Sequence, residues 1–153
     1  MRSLLLFFKI RTVGLNCLIG KLKKINGVVK MAIQQLNLQQ LNSQIQECIQ
    51  NCLDCHSICL NTVSTYCIHQ NGMHSEPAHI RLMLDCAEIC ETSANFMLRG
   101  SELHLRSCDF CAEVCDRCAK NCDRFGNDSQ MRACSEMCRR CAEGCRQMAL
   151  AMA

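Results

Sequence analysis

Proline occurs once in the 153 residues and tryptophan not at all, while tyrosine occurs once and phenylalanine five times. Secreted disulfide scaffolds are rich in proline and glycine loops, and small ferredoxins close their cysteine runs with proline, so both lack their usual material here. With so few aromatic rings, the core has to be filled by small, soft side chains. Long apolar runs are also missing. Leu4 to Phe8 extends only five residues before Lys9 and Arg11 interrupt it, and no A-x-A pattern follows. Neither a membrane span nor an export signal is supported. Acid is absent from residues 1–30, which hold seven of the 17 Lys and Arg, leaving ten basic against 14 acidic residues in 31–153. The overall +3 therefore hides a body of about minus four, and nothing in it points to nucleic acid.

What is abundant is cysteine, at 17 residues, and its spacing is helical. The run CDFCAEVCDRCAKNC places Cys108, Cys111, Cys115, Cys118 and Cys122 at steps of three, four, three and four. That is the a/d rhythm of a heptad, so five thiols line one helix face. At 1.5 Å per residue the ladder is roughly 21 Å long, too long for one ordinary metal site.

The pattern recurs. Cys48, Cys52, Cys55 and Cys59 step by four, three, four, with Cys67 one position off register; Cys134, Cys138, Cys141 and Cys145 repeat the same steps. Between them lies a helix with Cys86 and Cys90 and with His79, Met83, Ser93 and Met97 at its remaining seam positions. Ser43 reads as the first N-cap, Gly72 as the end of that helix, Ser75-Glu76-Pro77 as the second start, and Gly100 as a C′ residue. Ser101 then caps the third helix, Gly126 closes it, and the 127–129 stretch caps the fourth. Small flanking residues such as Ala112, Ala119 and Ala142 let these faces approach closely. The expected architecture is all-α, an antiparallel four-helix bundle with a cysteine-lined core. Residues 1–30 read as a separate basic extension, disordered or produced by an upstream start. Met31 opens the natural chain in that reading, and 31–153 form the bundle.

Several chemistries compete for such a column. Simple core packing forfeits the larger apolar area of Leu, at about 25 cal/mol per Å2. Dithiol redox or electron transfer meets poorly aimed i,i+4 pairs, and of the CxxC motifs only Cys108/Cys111 lies near a helix start. Iron–sulfur clusters usually draw four cysteines from loops. A structural zinc bundle would bury two negative charges at each tetrathiolate site. Copper(I) avoids that charge build-up, because each thiol loses H+ as one Cu+ enters, and thiolates are its preferred soft ligands.

The segments ECIQNCLDCHSIC, LDCAEICETSANF, CDFCAEVCDRCAKNC and CSEMCRRCAEGCRQMA, within Glu47 to Ala149, closely resemble the cytosolic copper storage proteins. The resemblance implies a homotetramer of four-helix bundles storing and buffering many Cu(I) ions in the cytoplasm, not an enzyme. No twin-arginine signal is present, since Arg2 and Arg11 are isolated. The expected ligands are the sixteen cysteines at 48, 52, 55, 59, 67, 86, 90, 108, 111, 115, 118, 122, 134, 138, 141 and 145. Nucleic acid and membrane are not expected partners.

In an up-down bundle one end gathers Ile45, Met97, His104, Met148 and Met152; the other gathers Tyr66, Cys67, His79, Met83, Met131 and Cys134. The second end has soft ligands beside polar loops and is the expected way in for metal, with His79, Met83 and Met131 as candidates and His104 as their competitor. His56, His69 and His74 read as solvated or structural. Leu53, Leu60, Leu84 and Phe110 fall on outward positions, a stripe suited to a subunit contact.

Overall fold

The computed structural model describes residues 2–150, with side chains described for 25–32, 34–35, 39 and 42–150. Four α-helices account for most of them: α1 (Arg2–Thr65), α2 (Pro77–Leu98), α3 (His104–Cys122) and α4 (Ser129–Leu150). Three 3-10 turns, Cys67–His69, Gly72–Ser75 and Asp123–Phe125, complete the order, and no strand occurs among the described residues. The chain divides into two units, Met1–Asn42 and Ser43–Ala153. In the first, Ile25, Val28, Val29 and Met31 are exposed. The second holds the bundle. The side chain of Cys17 and the whole of Met152 lie outside the described residues.

Each helix boundary has a local cause. Pro77 sits in the first turn of α2, where its missing N–H costs nothing. That helix ends in a Schellman arrangement: Gly100 (φ 62°) donates to the Met97 carbonyl at 3.1 Å and Ser101 to the Phe96 carbonyl at 2.9 Å. Asp128 opens α4, its Oδ1 accepting from the amides of Gln130 at 2.9 Å and Met131 at 3.0 Å.

Three expected boundaries are corrected. Ser43 lies inside α1, because the preceding MAIQQLNLQQLN is free of breakers and rich in helix formers. The same helix stops at Thr65, short of Gly72, and the chain continues in 3-10 turns. This explains why Cys67 breaks register: the helix has already ended, and the turn carries its thiol to a fully buried position. Ser101 does not cap α3, whose N-cap position is Leu103; the Ser101 hydroxyl accepts from the Leu103 amide at 3.3 Å.

Neighbouring helices run antiparallel, as their contacts show. Cys48 meets Cys145 while Cys59 meets Cys134, so α1 and α4 oppose. Cys86 meets Cys115 while Cys90 meets Cys111, so α2 and α3 oppose. Ala87, Ala94, Ala112, Ala119 and Ala142 are buried at the seams, which lets the thiol faces close on one another. Leu53 is half-buried against the core and is not outward as expected, whereas Leu60, Leu84 and Phe110 are exposed.

Candidate metal centre

All sixteen cysteines of the second unit are buried and unoxidised. Cys48 is 2 % exposed, Cys122 1 % and the others 0 %, so the thiols form the axis of the bundle. The shortest sulfur separations run between helices: Cys90 to Cys115 at 3.4 Å, and Cys52 to Cys145 and Cys59 to Cys134 at 3.5 Å. Of the i,i+4 pairs, Cys111 and Cys115 approach to 3.8 Å. Chelation along one helix is therefore secondary to chelation across helices.

Five groups of thiols have all their sulfurs within 4.8 Å of one another: 52/111/141/145, 55/86/90/115, 55/59/86/138, 90/111/115/141 and 48/108/145. Their nineteen ligand positions are filled by only twelve cysteines, and seven belong to two groups at once. Isolated tetrathiolate sites cannot all be occupied together on such a set, whereas a chain of ions sharing thiolates can. Cys118 and Cys122, both buried, continue the column beside Cys134. Burial pushes the Cys67 thiol up to about 11, helped by the nearby Cys134 and Asp128. For Cys108 a hydrogen bond from Cys145 lowers the value, but the bond to Cys48 and burial outweigh it and bring the thiol to about 12. Deeper in the column Cys90 is pushed up by hydrogen bonds to Cys111, Cys115 and Cys141, while Cys86 is pushed down by those from Cys115, Cys118 and Cys138. Donor and acceptor thiols thus share their protons, and incoming cations displace them.

At the end where α1 gives way to α2, His79 is 1 % exposed and Met83 and Met131 are equally buried. The His79 Nδ1–H donates to Asn121 Oδ1 at 2.5 Å, which leaves Nε2 with its lone pair 3.7 Å from the Cys67 sulfur. The Phe125 ring lies 4.7 Å from that imidazole and 4.4 Å from His74. Asp128 Oδ2 accepts from Tyr66 at 2.7 Å and from His74 at 2.8 Å, tying the connection to the start of α4. Burial raises the Asp128 carboxyl, but the Met131 amide, Tyr66, His74 and the Gln130 amide together hold it at about 2. Phe125 and this second role of Asp128 carry no signal in the cysteine spacing, and both depend on chain segments far apart in sequence. His74 is structural, as expected. His56 is too, its Nδ1 donating to the Ala87 carbonyl at 3.0 Å. His69 is exposed.

His104 starts α3 half-buried, and its Nδ1 donates to the Ser101 carbonyl at 2.6 Å, a local turn that the heptad count could not anticipate. The soft groups at that end are Met97, with its sulfur 3.8 Å from Cys108, and buried Met148; Ile45 is half-buried against the core.

Fold and site together define a helical bundle built around a shared thiolate array for soft metal ions. The sequence profile of the copper storage proteins matches residues 41–150. The chain belongs to that family. It is 35 % identical over 68 residues to the uncharacterized cysteine-rich protein YhjQ of Bacillus subtilis, a match covering 44 % of this chain and 62 % of that one. Among solved structures it resembles the Nmul_A1745 protein of Nitrosospira multiformis, with 45 % identity, TM-score 0.68, and coverage of 73 % of this chain and 99 % of that one. It also resembles the Cu(I)-bound copper storage protein BsCsp3 of Bacillus subtilis, with 31 % identity, TM-score 0.64 and coverage of 69 % and 98 %. A cytosolic copper storage protein from Streptomyces lividans, solved during copper loading with five coppers, is 27 % identical at TM-score 0.65, with coverage of 70 % and 92 %.

Proposed function

We propose that this protein stores and buffers Cu(I) in the cytoplasm, holding many ions per chain on the sixteen inward-facing cysteines. The observation that carries this is the sharing of seven thiols between adjacent groups, which suits bridging thiolates on two- and three-coordinate Cu(I). Cytosolic and Cu(I)-loaded relatives with the same fold support it. The bundle works as a store and not as a catalyst, and four copies assemble through the exposed Leu60, Leu84 and Phe110 surface. No described helix is long and apolar enough to cross a membrane.

Metal passes in at the His79 end. The Nε2 of His79 and the Cys67 sulfur, 3.7 Å apart, form the first soft pair, with Met83 and Met131 buried at the same end and Phe125 packed on the imidazole. His104, turned into its own loop, takes no part. Residues 31–153 are the working unit, so a chain begun at Met31 should fold and load copper as the full chain does. Growth in media enriched in both copper and zinc, followed by metal analysis of the purified protein, tests the main reading. Many coppers per chain are expected; one or two zinc ions instead would favour a structural zinc bundle.

A further inference from the structure

Away from the His79 end, a cavity of about 210 Å3 opens on the flank between α1 and α4. Cys48, at 2 % the least buried cysteine of the column, is among its lining residues, with Gln44, Glu47, Asn51, Arg140 and Glu143. Gly144 lines the opening where α1 comes close. A Cβ there would stand 3.8 Å from the Cys48 sulfur and 3.4 Å from the Asn51 amide nitrogen, so any longer side chain would project over the thiol. Beneath it lies the group 48/108/145, which has three thiols where the other four groups have four. A three-thiol site leaves room for an incoming sulfur, as ligand exchange at a soft ion requires.

Resting on the copper-storage reading, we propose that this cavity binds a small zwitterionic aminothiol acid, which exchanges Cu(I) with the store at Cys48. The charges select the carrier. The Arg140 guanidinium matches a carboxylate in bidentate fashion, and Glu47 and Glu143 face an ammonium group. Glu143 is held in place by Gln147 at 3.0 Å and Arg146 at 3.8 Å. The small volume of the cavity, about 210 Å3, disfavours a larger carrier such as a γ-glutamyl tripeptide thiol. In the transfer step a bis-thiolate complex of Cu(I) gives its ion to Cys48 and Cys145. Two carrier Cu–S bonds break and two protein Cu–S bonds form. Each protein thiol's proton leaves on a carrier thiolate as the free thiol, and copper remains +1, so no oxidant or reductant is involved. The same exchange run backwards, with excess carrier thiol, draws copper out.

The test is anaerobic stopped-flow transfer to the reduced full-length protein from Cu(I) complexes of cysteine, cysteamine and glutathione. Arg140→Ala should slow transfer from cysteine about tenfold or more, the factor for a lost charge-assisted contact, and leave cysteamine, which lacks the carboxylate, unchanged. Gly144→Leu, favourable in a helix interior, should slow transfer from cysteine with unchanged copper per chain at saturation. Glutathione should transfer more slowly than cysteine in the unaltered protein. Wild-type rates with cysteine in both variants, or equal slowing of cysteine and cysteamine by Arg140→Ala, overturn the port. Saturation of the unaltered protein at one or two coppers is a different failure, since it removes the store itself.

Discussion

Cys115 belongs to two of the thiol groups, with Cys55, Cys86 and Cys90 in one and Cys90, Cys111 and Cys141 in the other. Its neighbours can therefore re-coordinate when it is lost. Cys115→Ser should lower capacity by about one copper per chain and leave the rest of the titration intact, because two-coordinate Cu(I) tolerates a missing bridge. Loss of all metal on this one substitution would instead mark a discrete cluster with a fixed ligand set. Asp128 holds two jobs at once, capping α4 and anchoring Tyr66 and His74. Asp128→Ala should cost about 1 kcal/mol for the cap, read by thermal or denaturant unfolding of the metal-free protein. Its carboxyl sits at about 2, below the ordinary value, so its contribution is complete above pH ~4 and is lost as pH falls through about 2. An acid titration of stability that is the same in the variant and the unaltered protein would contradict that role.

The helices owe their boundaries to a few positions. Gly100 takes φ 62° at the end of α2, where a Cβ meets strain but no neighbouring atom. Gly100→Ala should therefore destabilise the bundle by about 1 kcal/mol through backbone conformation alone, without altering copper capacity. The starts of α2 and α4, the Gly100 stop and the faces of all three cysteine ladders are legible in the sequence, because proline, glycine, Asp128 and heptad spacing act locally. The start of α1 is not: Ser43 is a good cap residue, but nothing before it interrupts the helix. Counting back four from Cys108 puts His104 on the seam, but periodicity gives no sign of the bond from its imidazole to the Ser101 carbonyl. The Asn121 contact that orients His79 joins α3 to α2 and leaves no mark on either segment read alone.

At the scale of the whole molecule, buried thiols govern how stability responds to alkali. Cys67 stands at about 11 and Cys108 at about 12 in the folded chain, while unfolded thiols ionise near 8.5. Above about pH 9 the unfolded chain gives up protons that these two folded thiols retain. Their contribution to the stability of the metal-free protein is full below about pH 8.5 and falls as pH rises toward 11 to 12. Urea unfolding between pH 7 and 11 measures this. Assembly is tested separately, by light scattering: four chains per particle are expected, and Phe110→Glu, placed on a surface 53 % exposed in the isolated chain, should shift the mass toward one.

In the proposed store the column fills by exchanging H+ for Cu+ on shared thiolates. The most direct measurement is an anaerobic titration of the reduced protein with Cu(I) in weak buffer, recording copper bound against a competing chelator and protons released together. Binding of many equivalents is expected, approaching about one copper per buried thiol, with proton release falling to about one per copper overall as the thiolates become shared. Saturation at one or two equivalents, or release of several protons per ion as a tetrathiolate site requires, would contradict it.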